Sequence, residues 1–316
     1  MTADAPSDFP YEAVPVESRP DALRRYWGIA QGLQVVDGLQ TSDRLKELSR
    51  ENIEGLRGFE ETGELLRLYY AGLSEMDPLP DGRSGSHDEH EADFVSLRIA
   101  ELLARGAFLF APDMLTRIHA YLFQDLDASL YQPGEHKKEP LQKQELILNG
   151  DSVVYADPSL IDAALRTAFE DEAAHSYGQR FDDVALDALA KFIARLWQVH
   201  PFAEGNTRTI AVFTVLYLTD LGYDVTNEPF ESCARYFRDA LVRANYRNPK
   251  AGVLPERAFL VRFLAHALDK EGGPLRSRDL MVQALFDDPG LLRNVPAHRA
   301  LCTPSRVTDR NAPNGS

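Results

Sequence analysis

The sequence predicts an all-α protein, a helical bundle core with one β-hairpin flap and a small N-terminal helical module in front of it. Two observations carry this. Apolar residues recur at helical spacing through most of the 316 residues, the pattern of amphipathic helices. One stretch alone changes character: Ile147 and Leu148, then Asn149-Gly150, then Val153, Val154 and Tyr155. Asn-Gly between two β-prone runs is a strong hairpin signal. With 44% hydrophobic and 26% charged residues the composition is that of an ordinary globular chain, long enough to bury a sizeable core.

The elements follow in chain order. Residues 1–20 are rich in proline and aperiodic, and are expected to form a loose tail. Residues 21–76 hold the helical patterns DALRRYWGIAQGL, SDRLKELSRENIEG and EETGELLRLYYAG. In the second, Thr41 or Ser42 can cap the start, and Gly55 falls where a helix C-terminus favours left-handed backbone. Residues 77–95 are rich in Pro, Gly and acid and suggest a linker. The main domain is expected over 96–272. It opens with FVSLRIAELLARG and PDMLTRIHAYLFQDL, continues through the flap, and adds PSLIDAALRTAFEDEAAHS, FDDVALDALAKFIARLWQVH and the amphipathic TIAVFTVLYLTDLG. SCARYFRDALVRANY and PERAFLVRFLAHAL complete it, and 273–316 is expected to be a partly disordered tail.

A formal net charge of −15 argues against a sequence-independent grip on polymeric nucleic acid or an anionic membrane. Cys233 and Cys302 lack metal-site spacing, and a disulfide framework is not expected. The N-terminus has no basic and apolar leader, and no run reaches the roughly 18 apolar residues of a spanning helix. A cytoplasmic protein is expected. Export as an effector and assembly into a homo-oligomer are both compatible with the composition.

The chemistry concentrates in HPFAEGNTRT, residues 200–209, between two helices. Gly205 permits a tight turn. The next helix begins there, so its free N–H groups and positive dipole end face whatever occupies the turn. Glu204 offers a hard oxygen suited to Mg²⁺ shared with phosphates, Arg208 a fork of donors, and His200 a base that titrates near neutrality. Together these groups suit phosphoryl or nucleotidyl transfer.

The segment resembles the motif His-x-Phe-x-(Asp/Glu)-Gly-Asn-x-Arg-x-x-Arg of the Fic branch of the Fic/Doc family, matching at His200, Phe202, Glu204, Gly205, Asn206 and Arg208. Six such positions arise by chance in about one in a hundred thousand chains of this length. The likeness extends from about Ser96 to Leu268, with IHAYLFQDL similar to the helix ahead of the family's flap and ALVRANY to the helix that closes its nucleotide pocket. The resemblance implies a protein adenylyltransferase, which moves AMP from ATP, with Mg²⁺, to a Ser, Thr or Tyr hydroxyl of a target protein. His200 would be the general base, Phe202 the anchor of the loop and Glu204 the metal ligand. Gly205, Asn206, Thr207 and Arg208 would line the phosphates, and Asn245 the nucleobase. Leu146, Ile147, Leu148, Val153, Val154 and Tyr155 would form the flap that docks the target as an added strand.

Two positions depart from the pattern. The second motif arginine is Ala211, and the glycine usual after the asparagine is Thr207. Transfer of another group (UMP, GMP or phosphate), or a scaffold with weakened catalysis, are the alternatives these departures open; removal of AMP is the weakest. Many members also carry an inhibitory pattern (Ser/Thr)-x-x-x-Glu-(Gly/Asn). SRENIEG offers Glu54-Gly55 within residues 21–76, which resemble the antitoxin-type helices fused ahead of some Fic domains. The pattern's hydroxyl position is Arg50, with Ser49 one residue early. With Ala211 in place of the usual receptor, the N-terminal module is expected to cover the nucleotide cleft, by bulk or by pairing Glu54 with Arg208.

Overall fold

The computed structural model describes residues 19–76, 85–178, 181–270 and 272–293. The N-terminal helices are α1 (Arg19–Gly32), a 3₁₀ turn Leu33–Asp37, α2 (Asp43–Ile53) and α3 (Phe59–Met76). Then follow α4 (Gly85–Arg105), α5 (Asp113–Phe123) and the short α6 (Ala128–Tyr131). The second half holds α7 (Ile161–Ala173), α8 (Asp183–Val199), α9 (Asn206–Asp220), α10 (Glu228–Asn245), α11 (Ala258–Ala267) and α12 (Gln283–Asp287). The fold is helical, and no strand occurs among the described residues. Most of residues 1–20 and the segments 77–84 and 294–316 lie outside the described residues, and with them most of the expected N-terminal tail, the first part of the expected linker and the end of the expected C-terminal tail. The first part of the expected C-terminal tail, 273–293, is described and buries Leu280, Val282 and Leu285.

Helix α9 is the centre of the bundle. Every residue from Asn206 to Leu218 is buried, so the expected amphipathic helix is instead covered on all sides. Its threonines allow this: Thr214 is fully buried and satisfies its hydroxyl on the Ile210 carbonyl at 2.7 Å. Around α9 lie α5, α8, α4 and the 3₁₀ turn Leu33–Asp37.

The N-terminal helices belong to the same core. α1 packs between α4 and α10, with Trp27, Ile29, Ala30, Leu33 and Val36 at 1% exposure or less, inside one cluster with Phe94, Phe213 and Phe237. Gly32 makes the approach to α10 possible: a Cβ there would lie 2.4 Å from the Glu231 Cα and the Phe230 carbonyl oxygen. Ser42 caps α2 by accepting from the Leu45 N–H at 3.0 Å.

The expected linker is corrected at its end, because residues from Gly85 onward are the first turns of α4. Two of its acids, Glu91 and Asp93, face inward because they have partners. Asp93 accepts from the Ser42 N–H at 2.9 Å and the Tyr70 hydroxyl at 2.7 Å, and Glu91 accepts from the Tyr131 hydroxyl at 2.6 Å. Burial pushes the Asp93 carboxyl up, and those hydrogen bonds pull against it.

The expected β-hairpin is corrected too. Asn149 (φ 52°) and Gly150 (φ 86°) do adopt the paired left-handed conformations of a tight turn. Their flanks form no ladder: Leu146–Leu148 coil into a 3₁₀ turn that buries Ile147 and Leu148. The Ile147 carbonyl accepts from Val282 at 2.9 Å, and the Asn149 amide donates to the Leu285 carbonyl at 2.9 Å. The C-terminal segment thus takes the backbone and side-chain groups that point away from the turn. Val153 and Tyr155 are buried, while Leu146 and Val154 are about two-thirds exposed.

Candidate active site

Helix α8 ends at His200, whose left-handed backbone (φ 51°, ψ 60°) turns the chain sharply into the loop. Its ring is 6% exposed, stacked on Tyr155 at 3.9 Å and set edge-on to Trp197 at 5.6 Å. Burial, with the positive charges of Lys143 and Lys137 beside it, holds the imidazole well below its ordinary pKa. His200 is therefore neutral at pH 7, the form a general base requires.

The loop between α8 and α9 is braced from within. Phe202 is fully buried, and the Asn206 side chain closes the turn by accepting from the Phe202 N–H at 3.0 Å and donating to its carbonyl at 2.8 Å. Gly205 (φ 74°) lies directly over the Phe123 ring, where a Cβ would come within 2.2 Å. The Thr207 hydroxyl accepts from the Trp197 indole at 3.0 Å. The first helical hydrogen bond of α9 runs from Thr209 N to Gly205 O at 3.0 Å. The N–H groups of Asn206, Thr207 and Arg208 precede it, giving the helix an anion-seeking end.

His119 of α5 supports this loop from below. Its Nδ1 accepts from the Gly134 N–H at 2.9 Å, so Nε2–H donates to the Glu204 carbonyl at 3.1 Å. The ring also stacks on Phe202 at 3.9 Å. Burial lowers its pKa to about 3, fixing this neutral tautomer.

Arg208 is fully buried and encircled. Its Nε lies 2.9 Å from Asp37 Oδ2 and Nη2 2.7 Å from Glu91 Oε1, Nη1 donates to Gln34 Oε1 at 3.2 Å, and the guanidinium lies 5.0 Å from the Phe123 ring centre. Asp37 closes the 3₁₀ turn after α1, and its carboxylate also faces Lys143 Nζ at 3.5 Å and Arg238 Nη1 at 3.7 Å. Burial alone would raise its pKa, but the three cations outweigh it and hold the group well below the usual carboxylate range. The space left beside His200 is about 10 Å³, bounded by Asp37, Lys143, Glu204, Thr207 and Arg238. A cavity of that size admits about one water and no nucleotide.

Glu54 is not part of this arrangement. It is exposed at the end of α2, and the carboxylates on Arg208 are Asp37 and Glu91. Arg57 nearby is taken by Glu51 and Glu61. Asp37 therefore replaces Glu54 as the acid that reaches Arg208. Residues 21–76 hold the acid–glycine pair twice, as Asp37-Gly38 and Glu54-Gly55, and both glycines are left-handed (φ 77° and 76°). The inhibitory pattern pointed to the second, although both miss its hydroxyl, with Leu33 and Arg50 at that position.

Asn245 lies outside the small cavity. Its amide donates to the carbonyls of Ala194 (3.0 Å) and Leu241 (2.9 Å), on the wall of a cavity of about 470 Å³ shared with Val154, Gln198 and Arg247. Glu204 is about a third exposed, with its carboxylate 3.5 Å from Lys143. No group of three His, Cys, Asp or Glu side chains suited to a metal occurs among the described residues. A lone carboxylate on a cavity wall fits an ion such as Mg²⁺ that takes its other ligands from phosphate and water. Gln34, Asp37, Glu91, His119, Lys143 and Arg238 were not singled out in the sequence, because nothing local marks them.

No curated protein matches the chain. A Fic domain containing signaling protein from Bacteroides thetaiotaomicron VPI-5482 superposes with a TM-score of 0.42 at 16% identity, covering 85% of this chain and 97% of that one. That overlap is too loose to bear on the reading of the site. No described helix is long and apolar enough to cross a membrane. Residues 109–218 match the family model described as Fic/DOC family. This stretch runs from the start of α5 through most of α9, so His119, His200 and Arg208 lie within the part of the chain that matches.

Proposed function

We propose that this protein is an adenylyltransferase that moves AMP from ATP to a hydroxyl of a target protein, and that the described conformation is its restrained form. The observation behind this is the convergence of neutral His200, Glu204 and the N-terminus of α9 on one small cavity, with the Asp37 carboxylate on its wall and paired to Arg208. A hydroxyl oxygen would attack the α-phosphorus while His200 takes its proton; the new P–O bond forms as the bond to the β-phosphate oxygen breaks and pyrophosphate departs. Arg208 and the α9 N–H groups would stabilise charge on the phosphates. Glu204 would hold Mg²⁺, which supplies further neutralisation of that charge. The exposed Leu146 and Val154, on the segment whose Tyr155 stacks on His200, would present the target segment.

In this reading Asp37 is a brake. Its carboxylate takes the place beside Arg208 that a phosphate would need, and its turn is anchored by α1 in the main core. Removal of residues 1–76 would expose the apolar surface under Trp27, Leu33 and Val36, so release is better tested by Asp37→Ala. The test is covalent transfer of label from α-³²P-ATP to protein in a cell lysate by the Asp37→Ala chain, with γ-labelled ATP and α-labelled UTP, GTP and CTP alongside. Label from α-labelled ATP that His200→Ala abolishes is the expected result. Transfer from another nucleotide, or of γ-label, would replace AMP as the group moved. No transfer from any of them would sink the transferase reading.

A further inference from the structure

The anion held by Arg208 is also held by two cations outside the His200–Arg208 loop. Lys143 comes from the segment before the flap turn and Arg238 from the middle of α10, and both face Asp37 Oδ1, at 3.5 and 3.7 Å. Ala211, where the motif would have its second arginine, is fully buried in the core. An arginine there would have to displace packed side chains.

We propose that Lys143 and Arg238 are the residues that bind the β- and γ-phosphates of the nucleotide, supplying from two other elements the charge that position 211 lacks. This rests on the transferase reading above. The bonding of the two cations divides into a fixed part and a releasable part. Arg238 is held by both oxygens of the buried Glu145 at 3.2 and 3.1 Å, and it also donates to the Val36 carbonyl at 2.7 Å. Lys143 shares Glu204 with its contact to Asp37. Glu145 and Glu204 stay when the Leu33–Asp37 turn withdraws, so the cations stay aimed at the cavity. The partners on the turn, Val36 and Asp37, are the ones a polyphosphate would replace. Arg208 follows the same rule, keeping Glu91 and giving up Gln34 and Asp37. Three cations arranged around one small anion make a phosphate cradle.

The experiment measures binding of Mg-ATP, AMP and inorganic tripolyphosphate by calorimetry to the full Asp37→Ala chain, then to the same chain with Arg238→Lys or Lys143→Gln. Lysine keeps the charge opposite Glu145 and loses the fork, and Lys143 is partly exposed, so neither change leaves a buried carboxylate without a cation. Each is expected to weaken ATP and tripolyphosphate about 10-fold or more and to leave AMP, which lacks the outer phosphates, within 2-fold. ATP affinity unchanged in both variants, while Asp37→Ala still transfers label, would overturn the assignment and leave the transferase reading standing. Tripolyphosphate binding that depends on both residues, with no transfer from any nucleotide, would support the cradle and sink the transferase reading. Failure of Asp37→Ala to bind either polyphosphate would overturn the assignment outright.

Discussion

Two regions of the molecule handle the same guanidinium in opposite ways. The loop from His200 to Arg208 is contiguous, braced by its own Phe202–Asn206 hydrogen bonds, and carries the groups that can do chemistry. The ring around it is assembled from Gln34, Asp37, Glu91, Lys143 and Arg238, which come together from a span of about two hundred residues. In the proposed reading the loop would carry out the reaction, whereas the ring would decide whether substrate can enter. The proposed chemistry is local and the proposed restraint is global, so each should respond to a different kind of mutation.

The sharpest break is on the loop side. His200→Ala should lower transfer by the Asp37→Ala chain about 10²- to 10⁴-fold, the range for a lost general base, with ATP binding by calorimetry unchanged. An equal loss of ATP binding would mean that His200 acts in holding the loop rather than in proton transfer.

On the ring side, Asp37→Ala should raise transfer about 10- to 100-fold over the native chain, in line with removing a charge-assisted contact of about 1.5–3 kcal/mol. Glu54→Ala should leave the rate within about 2-fold, since an exposed side chain without a role at Arg208 contributes little. If the two mutants exchanged these results, the assignment of the brake to the Leu33–Asp37 turn would fail.

Between the regions stands Gly205. Gly205→Ala places a methyl group against the Phe123 ring in left-handed backbone, and should cost about 1–3 kcal/mol in chemical denaturation. A neutral outcome would show that α5 can move away from the loop, weakening the claim that the loop is rigid.

A smaller, pH-dependent effect tests His119. Burial depresses its folded pKa to about 3, below the unfolded value of about 6.5. Below pH 6.5 the unfolded chain binds a proton that the folded chain refuses, so stability falls with acidification until the folded pKa is reached. Between pH 6 and 4 the His119→Asn variant should lose stability less steeply than the native chain, by about 1.4 kcal/mol per pH unit. Parallel slopes would place that proton uptake on other groups.

The sequence by itself determined the helical class, a cap at Thr41 or Ser42, the left-handed turns at Gly55 and Asn149-Gly150, and the His200–Arg208 loop. Each of these depends on residues within a few positions of one another, through periodicity, capping or required backbone angles. Only the tertiary structure decided the rest. Asn149-Gly150 satisfied the local rule for a hairpin, yet the Ile147 carbonyl found its partner at Val282, so no ladder formed. Glu91 and Asp93 look solvated in sequence because the groups that bury them, Ser42, Tyr70 and Arg208, lie far along the chain. Asp37-Gly38 and Glu54-Gly55 are alike as local pairs. The packing of α1 through Gly32 onto α10 aims one of them at Arg208 and leaves the other in solvent. Charge pairing falls off with distance in space and not along the chain, which is why the loop could be read from the sequence and its restraint could not.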